Sequence, residues 1–412
     1  MDFQRRGTNK PKQRGQIIPL FALFLVIMIL FAGLAIDMGF AYVTKARLSK
    51  AVDAACLAGM RNSYQGQATA ESIARSAFSA NYGGTAQEVS PPTVNVGFST
   101  NADGNRVVRV DASTTINTFL IRLLPQWETL AISASAEATR PNLIVSLVLD
   151  RSGSMNFNGG AAALPDAVNS FIELFNDSDD QMAMISFSST ARVDVSMRTG
   201  FQNPISNAVN SMGFAGGTFS LGGLALGLSE NAAATAPSAN TIRVVVFFTD
   251  GFANIMQDRI FCSGTPTRLN FGGYDAGQNR VNFYDPSDLR DNPPPRCSIS
   301  DGQDPPCCRG SQFYSEYYDM YHSFTRDAVA AEAEYRAVQT ANQMRAQGMV
   351  VYSIGLGNKI NEPFLQQVAN DPQSSTFNPN RPVGEAVVAP NASQLEQVFQ
   401  TIAAKILTRL SQ

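Results

Sequence analysis

The longest uninterrupted apolar stretch comes first: IIPLFALFLVIMILFAGLAI, residues 17–36, holds 20 positions without a charge. At about 1.5 Å of rise per residue, one helix over this stretch crosses a hydrocarbon core of about 30 Å. The pattern predicts a transmembrane helix. A cleaved secretory leader has a shorter apolar region, about 7–15 residues, that ends at a small-x-small site. Here DMGFAYVTKARLSKAVDAACLAG follows and continues the helix. Within it Ala51, Ala54, Ala55 and Ala58 recur at helical spacing. Such a stripe allows close backbone approach, either to its own domain or to a second copy.

Between residues 61 and 138 the period shortens. A polar helix, TAESIARSAFSANY, precedes TVNVGFS, RVVRVDAST and AISASAEAT. Alternation at period two predicts half-buried strands, and NADGN between the first two reads as a hairpin turn. This makes a small α+β module with no chemistry of its own.

From Asn142 onward the runs are apolar throughout: LIVSLVL, MAMISFS, IRVVVFF and MVVYSIGL. They alternate with ALPDAVNSFIELF, SLGGLALGLSENAAATA, TRDAVAAEAEYRAVQTANQMRAQ and SQLEQVFQTIAAKILTRL, which carry helical patterns. Strands buried on both faces and separated by amphipathic helices predict an α/β fold with a doubly wound, mostly parallel sheet. ARVDVSM, close after MAMISFS, is expected as a hairpin edge strand. The expected organisation is a basic tail (1–16), a transmembrane helix (17–36), an Ala-rich membrane-proximal helix (37–60), the α+β module (61–138) and the α/β domain (139–412). A Pro-, Asp- and Tyr-rich insertion occupies 251–323.

Charge refines this picture at two points. A formal net charge of −3 lacks the basic surplus of a nucleic-acid binder. Five basic residues, Arg5, Arg6, Lys10, Lys12 and Arg14, precede the span, against Lys45, Arg47 and Lys50 after it. That bias predicts a cytoplasmic N-terminus, with the bulk of the chain periplasmic or extracellular.

Cysteine pairing is permitted there. Cys262, Cys297, Cys307 and Cys308 all fall in the insertion, and the adjacent Cys307 and Cys308 pair more readily with Cys262 and Cys297 than with each other. A four-cysteine zinc site would lack Cys-x-x-Cys pairs. Asp285, Asp288, Asp291, Asp301 and Asp304 lack EF-hand spacing and read as a solvated surface. Cys56 reads as a small buried residue, with an intermolecular disulfide as the alternative.

Candidate chemistry collects at one sheet edge. In open α/β sheets ligands bind beyond the carboxyl ends of the strands. Asp150 ends the first strand in DRSGSM, Asp250 ends IRVVVFFTD, and Thr218 lies in the glycine-lined loop AGGTFSLGG. With Ser152 and Ser154 they supply two carboxylates and three hydroxyls, hard donors suited to Mg2+ or Ca2+. The bland alternative is turn and helix capping by Asp and Ser. Catalytic signatures are missing: SGSM is not a Gly-x-Ser-x-Gly elbow, there is no phosphate loop, and the single histidine, His322, falls in the insertion.

DRSGSM, GGT and VVFFTDG together resemble the metal-ion-dependent adhesion site of von Willebrand factor type A domains. The resemblance implies that Ser152 and Ser154 ligate the ion directly, and Asp150, Thr218 and Asp250 directly or through water. A partner's acidic side chain would complete the shell, with Mg2+ as the expected ion and Mn2+ or Ca2+ as alternatives. RGQIIPLFALFLVIMILFAGLAIDMGFAYVTKARLSKAVDAACLAG is similar to the start of TadE/TadG-like proteins of bacterial tight-adherence (Flp) pilus assembly systems. Type IV prepilins place Glu five residues past the cleavage Gly, whereas the position five after Gly15 is Leu20. The resemblance therefore implies an uncleaved membrane protein. The expected function is metal-dependent binding of a protein ligand, such as a pilus or pilus-assembly component, with no enzymatic activity. The alternative is an envelope scaffold whose metal site is vestigial or structural.

Overall fold

A computed structural model describes residues 17–84, 88–102, 104–123, 125–238, 240–262, 265–273, 280–284, 297–300, 314–315 and 326–409. The chain divides into two compact units, residues 1–99 with 107–139, and residues 100–106 with 140–412.

In the first unit a single helix, α1 (Ile17–Arg61), carries the apolar stretch and continues unbroken past it. Its most apolar part is left bare by the rest of the chain, only 6% buried. Its length and apolarity fit a membrane span. Beyond it the helix acquires a core face. Leu48, Ala51, Val52, Ala55 and Cys56 pack with Ala74 and Phe78 of α2 (Gln67–Asn81). They also meet Val108, Val110, Ala112 and Ile116 of β2 (Arg106–Asn117), and Ile132 and Ala134 of β3 (Thr129–Arg140).

With β1 (Thr93–Thr100) these strands form a three-stranded sheet in the order β1-β2-β3. The NADGN segment closes a turn through Gly104 N–H to Asn101 O at 3.0 Å. Of the small-residue stripe, Ala51 and Ala55 are fully buried in this core and Ala54 and Ala58 are half-buried. Cys56 is buried as a free thiol, donating to Val108 O at 3.1 Å, and burial pushes it up to about 11. It is an inert core residue, as expected of a thiol in apolar surroundings.

The second unit is built on a six-stranded sheet, whose members follow in chain order. These are β4 (Leu143–Asp150), β5 (Gln181–Phe187), β6 (Ala191–Arg198), β7 (Ile242–Thr249), β13 (Val350–Leu356) and β14 (Glu385–Ala389). The spatial order is β14-β13-β7-β4-β5-β6. All neighbours are parallel except β6, which pairs antiparallel with β5 at the edge, as ARVDVSM led one to expect.

Helices cover both faces. On one lie α3 (Gly160–Ile172), α4 (Gln202–Asn210) and α8 (Leu395–Arg409), packed over Val145, Leu147, Val244 and Phe248. On the other lie α5 (Ser220–Ala233), α6 (Arg326–Ala346) and α7 (Glu362–Ala369), over Val148, Val245 and Phe247. Successive residues of one strand therefore enter opposite cores, which explains why these strands read as unbroken apolar runs.

Directly after Asp250 the chain enters a second sheet, of order β11-β10-β9-β8-β12. Its strands are β8 (Ile255–Cys262), β9 (Thr265–Gly273), β10 (Arg280–Tyr284), β11 (Cys297–Ser300) and β12 (Tyr314–Ser315), all paired antiparallel. Cys307, Cys308, the side chains of Cys262 and Cys297, the five insertion aspartates, His322 and the basic tail lie outside the described residues. The expectations placed on them stay there.

Candidate metal centre

The centre forms where β4 and β7 end side by side. Parallel pairing sets Leu149 opposite Phe248, so the next residues of both strands, Asp150 and Thr249, reach the same edge and Asp250 follows. Asp150 is fully buried. Its Oδ1 accepts the Ser152 N–H at 2.7 Å and its Oδ2 accepts the Thr249 hydroxyl at 2.6 Å. The chain then turns tightly through residues 153–156. This turn brings Ser152 Oγ within 3.0 Å of Ser154 Oγ, and Ser154 donates to Asp250 Oδ1 at 2.6 Å. Asn158 Nδ2 donates to the other oxygen, Asp250 Oδ2, at 2.9 Å.

The glycine-lined loop is held against this turn by its backbone. Ala215 N–H donates to Arg151 O at 3.0 Å, and Gly153 N–H donates to Gly216 O at 3.0 Å. On its far side Gly217 N–H donates to Ser189 Oγ at 3.0 Å. The approach is too close for a side chain: a Cβ on Gly217 would lie 2.5 Å from Ile255 Cδ1 and 3.0 Å from Asn254 Oδ1. Thr218, buried in consequence, is fixed by Asn254, which accepts its N–H at 2.8 Å and donates to its carbonyl at 3.1 Å.

Asp150, Ser152, Ser154 and Asp250 are thus joined through one chain of hydrogen bonds, and Thr218 is set beside their turn. Sequence reasoning missed the supporting residues Thr249, Asn158, Ser189 and Asn254. Thr249 was detectable as the polar residue between an apolar run and Asp250, whereas the other three are loop residues whose partners are remote in sequence.

Electrostatics favours a cation here. Burial, and then the charge of neighbouring Asp250, push the Asp150 carboxyl up to about 7. Burial likewise raises Asp250. Two like charges held in a dry site favour protonation or a bound cation.

The donor set fits a hard ion. In an octahedral shell at about 2.1 Å, adjacent oxygens lie about 3.0 Å apart, the separation seen between the Ser152 and Ser154 hydroxyls. Among the described residues no group of three or more His, Cys, Asp or Glu is placed to hold a metal, so a thiolate or imidazole site finds no support there. A cavity of about 610 Å³ between α6 and α7, walled by Glu334, Asn342, Arg345 and Arg381, contains none of these five residues.

Comparison with known families now bears on this geometry. Residues 15–62 match the Flp pilus-assembly TadE/G-like family model, and residues 145–252 match that of the von Willebrand factor type A domain. The chain joins a TadE/G-like segment to a von Willebrand factor type A domain. The second match opens inside β4 and closes just past Asp250, so all five candidate ligands fall within the von Willebrand factor type A match.

No curated protein matches the chain. Among solved structures, the D319A mutant of the PilB minor pilin from Streptococcus sanguinis is 16% identical, with 79% of this chain and 81% of that chain covered, at a TM-score of 0.43. The vWF domain of the type V pili tip protein Mfa5 from Porphyromonas gingivalis is 15% identical, covering 67% and 98%, at 0.42. Proximal thread matrix protein 1 from the mussel byssus, with a zinc-occupied MIDAS motif, is 13% identical, covering 65% and 46%, at 0.37. The domain assignment rests on the family models.

Proposed function

We propose that this protein is anchored in the cytoplasmic membrane by residues 17–36, with its N-terminus in the cytoplasm. In this reading its exported type A domain, residues 139–412, binds a protein ligand through a divalent cation. Asp150, Ser152, Ser154, Thr218 and Asp250 would hold the ion, Mg2+ first, with Mn2+ or Ca2+ as alternatives. With only two anionic ligands the bound ion keeps positive field for an acidic side chain of the partner. A TadE/G-like anchor points to pilus or pilus-assembly components as the partner class, in assembly, anchoring or adhesion.

The observation that carries this reading is the convergence of two buried carboxylates and two hydroxyls 3.0 Å apart at the end of β4. This chain's own groups do the positioning. Thr249 and the Ser152 amide orient Asp150, Asn158 orients Asp250, and Asn254 holds the Thr218 backbone. Binding is the work assigned to the site, and no reaction is proposed.

One observation favours a second reading, a scaffold whose metal site is vestigial. Every oxygen of the two carboxylates already accepts a hydrogen bond within the protein.

Calorimetric titration of Mg2+ and Mn2+ into the detergent-solubilised chain separates the two. Saturable binding that Asp150→Ala and Thr218→Ala each remove supports the adhesion reading. Absence of binding by the folded wild type moves the scaffold reading forward.

A further inference from the structure

Asp37 is the first charged residue past residues 17–36, yet it is only 5% exposed. Its carboxylate accepts three consecutive backbone N–H groups, from Phe119 at 2.5 Å, Leu120 at 3.0 Å and Ile121 at 2.9 Å. These belong to the connection between β2 and β3. One turn earlier on the same helix, Leu120 packs against Gly33 so closely that a Cβ there would lie 2.6 Å from Leu120 Cβ. Gly33 lies inside the apolar stretch, about 6 Å along the helix axis from Asp37. The connection is therefore clipped to α1 at the level of the last turn of the apolar run.

What this loop presents is unlike a water-facing turn. Phe119 is 64% exposed and Trp127 47% exposed, with Arg122 exposed between them. Thr118 closes the loop by donating its hydroxyl to Trp127 O at 2.6 Å and its N–H to Glu128 O at 3.1 Å, which brings both aromatic residues to one base. Just past Asp37, α1 itself exposes Phe40 and Tyr42. Exposed aromatic side chains near the end of an apolar helical stretch, with an exposed arginine among them, match the chemistry of the headgroup zone of a bilayer.

We propose that Thr118, Phe119, Arg122 and Trp127 of this connection form a membrane-interface anchor, seated in the lipid headgroup zone beside the exit of α1 and locked there by Asp37 and Gly33. This rests on the reading of residues 17–36 as a membrane span. The loop gives the first unit a second point of attachment, so that a rigid base, and not a single swivelling helix, meets the membrane. A bilayer is favoured over a protein partner because the patch is continuous with the span and lies at its level.

Trp127 is the only tryptophan in the chain, so its emission reports on this loop alone. The full chain is reconstituted in phosphatidylcholine vesicles containing phosphatidylglycerol, then floated after an alkaline wash. Flotation tests the span independently of the loop.

In floated vesicles the expected result is blue-shifted Trp127 emission, strongly quenched by lipids brominated high on the acyl chain and shielded from iodide. Asp37→Ala and Gly33→Leu should each reduce bromolipid quenching and open the indole to iodide. Phe119→Ser, at a side chain 64% exposed, should weaken quenching without loss of the folded circular-dichroism spectrum.

A chain that floats while Trp127 is quenched by iodide and not by bromolipid overturns the proposal and leaves the span intact. An indole shielded from both quenchers overturns it as well and places protein, such as a second copy, on the patch. A chain that fails to float overturns the span reading and the anchor together.

Discussion

Asp150 is the residue on which proton and metal would compete. Its carboxyl is pushed up to about 7, above the ordinary carboxylate value of 3.8 that it takes in the unfolded chain. Between those values the folded protein holds the extra proton, so metal-free stability falls as pH rises through the window and levels off above it. With chelator present, the unfolding midpoint of the second unit should therefore decline between about pH 4 and about pH 7. Mg2+ should reverse the decline, adding little at the acid end and, at a hundredfold excess over Kd, roughly 3 kcal/mol at the alkaline end. Asp150→Asn keeps an acceptor for the Ser152 amide while removing the charge. It should flatten the pH slope, raise or preserve the chelated midpoint, and abolish the Mg2+ response. Thermal unfolding followed by circular dichroism at both pH values checks all three outcomes, and a wild type whose midpoint ignores Mg2+ at both would contradict the metal centre. Asp150 and Asp250 were legible as candidates because strand ends in an open parallel sheet converge on one edge, and Ser152, Ser154 and Thr218 by their spacing around those ends and the resemblance it carries. Asn158 and Asn254 were not, because nothing local distinguishes a loop asparagine that orients a carboxylate from one that faces water.

Secondary-structure elements were legible in proportion to how completely they are buried. β4, β5, β7 and β13 are buried over nearly their whole length, and their apolar runs announced them. By contrast α4, α7 and β14 are short, with only part of their surface in a core, and no run or period marked them. The sheet inside the insertion was equally silent, being polar and Pro-rich in sequence. Two devices that hold the elements together make separate predictions. At the start of β4 and β5, Arg140 forms a bidentate pair with buried Asp180, at 2.9 and 2.7 Å, and Asp180 also accepts the N–H groups of Leu143 and Asn176. Removing one partner of a buried pair strands the other charge, so Asp180→Ala should cost about 3–5 kcal/mol in urea unfolding. The double variant Arg140→Met, Asp180→Leu should recover part of that loss, and equal costs for the single and double variants would contradict the argument. At the metal edge, Gly217→Ala drives a methyl into Ile255 and Asn254. Overpacking there should cost roughly 1–3 kcal/mol and weaken Mg2+ binding together with it, because Asn254 is the group that holds Thr218. Calorimetric Mg2+ affinity set against the unfolding midpoint tests whether the two losses travel together.

At the scale of the whole molecule, the two units have separate apolar cores. The cluster around Leu48, Phe78 and Ile132 draws only on residues between 41 and 138, whereas the clusters flanking the six-stranded sheet draw only on residues between 143 and 407. Cooperative unfolding follows shared packing, so the chain should unfold in two steps, and the position of its one tryptophan makes them separable. Trp127 belongs to the first unit, the candidate metal centre to the second. In detergent, the Trp127 fluorescence transition should ignore Mg2+ and chelator, while circular dichroism should contain a further transition that moves with Mg2+ and stops moving in Asp150→Asn. The reciprocal variant is Ile116→Ala, which removes a side chain 1% exposed in the first core. It should cost about 2–5 kcal/mol, lower the Trp127 midpoint and leave the Mg2+-sensitive transition in place. If Mg2+ instead shifts the Trp127 transition, the units unfold as one body. Partner binding at the metal edge would then be coupled to the membrane-proximal base, and the domain could not be treated as an independent binding module carried on an anchor.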